Sequence, residues 1–196
     1  LWTDYSKKIL SKGGGIYNRN AKTIKLSKEA TELLGLEHNE LNGSELIKAI
    51  LKCKTELLWF GGIGTYIKSE SQSHASVGDL ANDAVRIDDH ECNASIIGEG
   101  ANLGITQEAR LWLSEHHTKL NTDFIDNSAG VNTSDYEVNL KILLQQLSLK
   151  NHIKTKTHQR LLLKNSIPEV ITSVLNNNTA QHQLLSMEEV RSANEI

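Results

Sequence analysis

The sequence predicts an α/β fold: a partial, doubly wound parallel sheet followed by a helical C-terminal segment. Three observations carry that prediction. Short apolar runs alternate with helical patterns between residues 55 and 149, as crossover-connected parallel strands require. Small, glycine-bearing stretches follow these runs: "GGIG", "GEGANLG" and "NSAG". From residue 150 onward glycine disappears and helical signals dominate.

The elements follow in order. Residues 2–11, "WTDYSKKILS", read as a short helix ended by Gly13, Gly14 and Gly15. Residues 21–27 read as an extended connector. Ser27 is placed to cap a helix that reaches Leu34 and stops at Gly35. Asn42 with Glu45 three residues on is a capping box, and Leu46, Ile47, Ile50 and Leu51 then share one helical face. "TELLWF", residues 55–60, is a short apolar run between turn signals and predicts a buried strand. "KSESQSHASVGD" reads as a loop or insertion, and "LANDAVRI" as a short helix. "ASII" at 94–97 is the second strand, and Thr106 caps the helix "QEARLWLSEHH". "LNTDFI" at 120–125 predicts a third strand, "DNSAGVNTSD" a loop, and residues 134–149 a helix with Val138, Ile142, Leu143 and Leu147 on one side. Beyond it, Pro168 suits the first turn of a new helix, and Ser186 with Glu189 repeats the capping box. The expected division is therefore 1–149, sheet-bearing, and 150–196, helical. Parallel strands would line the three small-residue loops along one sheet edge, where ligands of open α/β sheets bind.

Composition removes several function classes. The 196 residues are 38% hydrophobic and 23% charged with a formal charge of -3, so no global basic field draws in nucleic acid. The basic stretch Lys150, Lys154, Lys156, Arg160 and Lys164 reads as a solvated or interdomain face. No apolar stretch approaches the roughly 18 residues of a membrane span, and no secretory signal opens the sequence. Cys53 and Cys92 lack metal or disulfide-scaffold spacing, so a reduced, cytoplasmic protein is expected. The eight histidines read as surface residues; the adjacent His116 and His117 diverge on a helix. The sequence begins with Leu1 and its one methionine is Met187, which suggests an excised segment.

No dinucleotide fingerprint, P-loop, zinc-protease or nucleophile-elbow motif is present; "GGIGTY" fails the first at its last position. Spacing alone supports only a sheet-edge ligand site. The loops "GEGANLGIT" and "NSAGVNTSDYE", separated by one helix and one strand, resemble those of glutamate dehydrogenases. That family carries "EGAN", a Thr-started helix, then "NAGGV" and a serine. The longer stretches "DYSKKILSKGGG", "LLWFGGIGTYIK" and "IDNSAGVNTSDYEVNLKILL" look like the C-terminal region of the large bacterial NAD-specific members, over about residues 2–195.

The resemblance implies roles by position. Gly100 and Asn102 would lie at the nicotinamide end of NAD, an amide suiting ribose hydroxyls or a carboxamide. Gly61 and Gly62 would flank the cofactor. Asn127 would lie between nicotinamide and substrate, and Val131 and Ser134 would line the glutamate pocket. Plainer explanations stand beside these. Asn102 and Asn127 stabilise turns well. Ser134 with Glu137 makes a capping box. Gly61, Gly62 and Gly100 serve positive φ. Trp59 reads as core rather than as a stacking partner. Ser128 and Ala129 replace the family's alanine and glycine, and Phe60 stands where a polar residue is expected, so the pocket's fine shape differs.

The resemblance also implies that residues 1–149 are the second half of a Rossmann-like NAD-binding domain. The catalytic lysine and aspartate, and the pyrophosphate-binding turn, would lie upstream, so no catalytic residue and no metal ligand is assigned here. The implied reaction is oxidative deamination of L-glutamate to 2-oxoglutarate and ammonia. The expected partners are these small molecules, the remainder of the same polypeptide and, at full length, further copies of the chain; neither nucleic acid nor membrane is expected. Two rivals remain: another amino-acid dehydrogenase of the superfamily, differing near Val131 and Ser134, and a catalytically incomplete structural or nucleotide-binding fragment.

Overall fold

A computed structural model describes residues 4–194. The chain folds as two compact units that divide between Asn121 and Thr122.

The first unit begins with one 3-10 turn, Lys7–Ile9, capped by Ser6. The longer helix expected over residues 2–11 does not form among the described residues; Trp2 and Thr3 lie outside them. Tyr5 and Ile9 are exposed, so no buried face repays helix nucleation. The predicted extended connector is a strand, Ile24–Lys25 (β1). Helix α1 (Lys28–Leu33) has Ser27 as N-cap, its Oγ accepting the Ala30 N–H, and Gly35 beyond its end at φ +64°. Strand β2 (Glu40–Leu41) pairs antiparallel with β1. Helix α2 (Gly43–Lys52) opens on the expected capping box of Asn42 and Glu45.

Strand β3 (Thr55–Phe60) is present, but it is not buried. Leu57 and Trp59 are 53% and 58% exposed, whereas Phe60 is buried. The strand alternates its faces: Leu58 and Phe60 turn to the core, Leu57 and Trp59 to the other side. The segment read as a loop carries a short strand, β4 (Ile67–Lys68), and a one-turn helix, α3 (His74–Val77). "LANDAVRI" is not an α-helix. It makes a 3-10 turn, Leu80–Asn82, and then β5 (Ile87–Asp88), because the Ile87 N–H donates to Tyr66 O and pairs β5 parallel with β4.

Strand β6 (Ala94–Glu99) is the centre of a three-stranded parallel sheet, with Trp59 in register with Gly98. Thr106 caps α4 (Gln107–Glu115) as expected. His116 ends α4 with its ring stacked on Trp112, and His117 leaves the helix at φ +73°, so the pair is not two helical histidines. The last strand, β7 (Lys119–Leu120), is only the start of the predicted one. The core holds Leu51 of α2, Phe60, Ile97, and Ala109 and Leu113 of α4. The opposite sheet face leaves Leu57, Trp59 and Ile96 (44%) exposed. Cys92 is buried, which pushes its thiol pKa up; Cys53 is half-buried.

In the second unit, residues 122–125 are not a strand and residues 126–135 are not a loop. Asp123–Asp126 is a helical turn (α5), with acidic residues where a helix N-terminus favours them. Helix α6 starts at once and spans Ser128–Leu149. Ser134 is therefore interior rather than a cap; its Oγ donates to Gly130 O at 3.2 Å. After a turn at Asn151 (φ +59°), helix α7 runs unbroken from Lys156 to Asn194. Thr155 caps it, Oγ1 accepting the His158 N–H. Pro168 lies inside α7, not in a first turn, and Ser186 is likewise interior, donating to His182 O. The helices form a hairpin in which Asn178 Nδ2 donates to Ser128 Oγ (2.8 Å) and Ile125 O (3.2 Å). The expected 149/150 boundary falls at the turn between the two long helices.

Among the described residues no helix is long and apolar enough to cross a membrane.

Candidate functional site

Two loops leave the carboxyl ends of adjacent parallel strands in the first unit. One runs from Gly61 to Gly64 after β3, the other from Gly100 to Gly104 after β6. Loop positions outside such strand ends are where open α/β sheets bind ligands. A cavity of about 270 Å³ lies beside them, lined by Ile47, Ile50, Trp59, Phe60, Gly61, Gly62 and Tyr66 among others.

The second loop is held rigid from below. Glu99, 1% exposed at the end of β6, pairs with Arg110 of α4 and accepts the Gly104 N–H through Oε1 at 2.9 Å. Arg110 also donates to Asn121 O (2.7 Å) and Ile105 O (3.4 Å), so one guanidinium ties the loop to the ends of α4 and β7. Gly104 O accepts the Tyr66 N–H at 2.8 Å, and Thr65 Oγ1 donates to Leu103 O at 2.7 Å. A methyl at 104 would stand 3.0 Å from Glu99 Oε1 and 3.2 Å from Phe60 Cγ, so one of these side chains would have to give by a few tenths of an ångström. Leu103 adopts φ +62° and is exposed.

Thr65 is itself anchored by the insertion. Its N–H donates to Asp79 Oδ2 at 2.8 Å. The fully buried Arg86 side chain donates to Thr65 O, Asp83 and Asp79 O. The Thr65 N–H, then the Asn82 amide and the Arg86 charge, hold the Asp79 carboxyl below its ordinary pKa. Sequence reasoning missed this network and the Glu99–Arg110 pair. The carboxylates near Arg86 and Arg110 in the sequence do not single out these partners, which the fold selects.

The structure brings Gly61, Gly62, Gly100 and Asn102 to this one edge. None of the three glycines has positive φ, so backbone conformation does not account for them. A methyl on Gly62 would meet nothing within 4 Å, and Gly62 and Asn102 are exposed. Gly100 is different: the Trp59 indole lies directly over it, 2.5 Å from where a methyl would stand. Trp59 is thus not core.

The other three candidates share the first turns of α6. Asn127 ends α5 and leads into α6, its carbonyl accepting the Gly130 N–H at 3.0 Å. Its side chain crowds Gly130, where a methyl would stand 2.5 Å from Oδ1. Val131 and Ser134 follow at helical spacing and both are exposed. Among the described residues no group of three His, Cys, Asp or Glu side chains is placed to hold a metal.

The family model described as "Bacterial NAD-glutamate dehydrogenase, catalytic domain" matches residues 1–188. Proteins called NAD-specific glutamate dehydrogenase are similar: that of Pseudomonas aeruginosa is 45% identical over all of this chain. That of Halomonas elongata is 44% identical over 97% of it, and that of Mycobacterium tuberculosis 41% over 98%. In each case the chain spans only 12% of the relative's length. With nearly its whole length matched, the chain belongs to the bacterial NAD-glutamate dehydrogenase catalytic-domain family.

Proposed function

We propose that this chain forms the cofactor-side part of an NAD-dependent glutamate dehydrogenase that converts L-glutamate to 2-oxoglutarate and ammonia. The observation that carries this is the pair of glycine-bearing loops at the carboxyl ends of β3 and β6. They fit a dinucleotide: the exposed Gly61 and Gly62 line an apolar cavity, and Asn102 lies exposed on the neighbouring loop. NAD, when bound, takes the hydride from the substrate's α-carbon. The chain's own residues bind and orient. Asn102 hydrogen-bonds the nicotinamide ribose or carboxamide; Gly61, Gly62 and Gly100 give backbone access. Asn127 orients nicotinamide or substrate at the head of α6, and Val131 and Ser134 shape the glutamate pocket. Acid–base roles fall to no residue of this chain.

On the same proposal residues 1–149 are the second half of the NAD-binding domain and 150–196 the helical segment that follows. The full-length protein works in the cytoplasm as a homo-oligomer, with the rest of its polypeptide completing the site. Asn102→Ala in the full-length enzyme is expected to raise KM for NAD by about tenfold, the loss of one or two ligand hydrogen bonds. Unchanged steady-state kinetics would remove Asn102 from the site. A panel of amino-acid substrates on the same enzyme tests glutamate against its relatives.

A further inference from the structure

We propose that Trp59 is the stacking platform for the nicotinamide ring; the proposal rests on the cofactor role given above to the loops after β3 and β6. Trp59 is the penultimate residue of β3, and its side chain leaves the sheet on the face opposite Leu58 and Phe60, which pack in or against the core. The indole lies flat on the neighbouring strand. A methyl on Gly98 would stand 2.6 Å from its Cε3, and one on Gly100 2.5 Å from its Cζ2. A methyl on Gly61 would reach van der Waals distance, 3.7 Å, from Cδ1 and Nε1. Three glycines therefore border one ring, and none of them has a positive φ that would explain it otherwise.

Gly98 of β6 and Gly100 just beyond it bed one face of the indole and set its orientation. The rest of the ring is open, 58% exposed, on the sheet face that also shows Leu57 and Ile96. A fixed aromatic surface with one free face binds planar rings by stacking. It attracts a cationic ring further, because the indole face is electron-rich. Oxidised nicotinamide is both planar and cationic. Asn102, on the loop that follows Gly100, supplies the hydrogen-bonding partner for the carboxamide or ribose at the same end.

The test uses the full-length protein, titrated with NADH, NAD and ADP-ribose; the last lacks the nicotinamide. Trp59→Ala is expected to weaken NADH and NAD binding roughly tenfold and leave ADP-ribose binding unchanged. Trp59→Phe keeps a ring and is expected to restore most of the affinity. Equal losses for NADH and ADP-ribose would overturn the proposal, as would wild-type NADH affinity in Trp59→Ala. Those results leave the cofactor site itself standing. Failure of the wild-type protein to bind either nucleotide overturns the cofactor site, and this proposal with it.

Discussion

Glu99 decides whether the loop after β6 has a shape at all. Its carboxylate is out of water, it pairs with Arg110, and it receives the Gly104 N–H. Removing the charge leaves a guanidinium that is 8% exposed with no counterion. Glu99→Gln is therefore expected to cost about 3–5 kcal/mol in urea-induced unfolding. Adding Arg110→Met should recover part of that loss, since the orphaned charge goes too. A single-variant cost under about 1 kcal/mol would mean that the loop is held by its backbone bonds alone. At this scale the sequence was readable where side-chain chemistry is local. Asn42, Ser27 and Thr106 cap their helices as their neighbours demand. Trp59 was not readable, because whether an aromatic ring is core or surface depends on which sheet face is covered. The same holds for Arg86 and Arg110, whose carboxylate partners are chosen by the fold.

Among elements, helix α7 carries the clearest local conflict. Pro168 lies in its interior, where the ring removes one hydrogen bond and crowds the preceding turn. Pro168→Ala is expected to stabilise the helical unit by up to about 3 kcal/mol, read as a raised melting temperature by circular dichroism. A lowered melting temperature would show that the proline ring itself is needed for packing of the helical unit. The sequence placed a helix start at Pro168, at Ser134 and at Ser186 for one physical reason. Proline at a first turn and serine three residues before glutamate favour a helix start, but both survive inside a helix that has already begun. The true start of α6 was hidden because "NSAG" has weak helix propensity. Asn178 of α7 holds Ser128 and Ile125 there, a contact from far along the chain. The third strand shrank to Lys119–Leu120 because Thr122 and Asp123 begin a helical turn.

For the whole molecule, the class was legible: strand, crossover and helix recur, and β3, β6 and β7 do form a parallel sheet. Parallel sheets are ordinarily covered on both faces, so a short unbroken apolar run reads as fully buried. Here one face of the three strands packs into a core and the other shows Leu57, Trp59 and Ile96. No local pattern in "TELLWF" distinguishes a central strand from an edge. Two of the three small-residue stretches lie at strand ends as expected; the third, "NSAG", became helix.

The parallel pairing of β3 with β6 also sets a clock. Thr55 cannot find Ala94 until everything between them, including β4, α3 and β5, has been threaded across. That closure must be complete before any ladder bond forms, and contacts so distant along the chain make folding slow. The hairpin of α6 and α7 joins neighbours through a short turn and needs no such wait. Refolding from urea should therefore show ellipticity returning in an early phase. The fluorescence of Trp59, with Trp2 and Trp112 replaced by phenylalanine, should follow later. Simultaneous recovery of both signals would mean that the sheet, for all its distant partners, is not what the chain waits for.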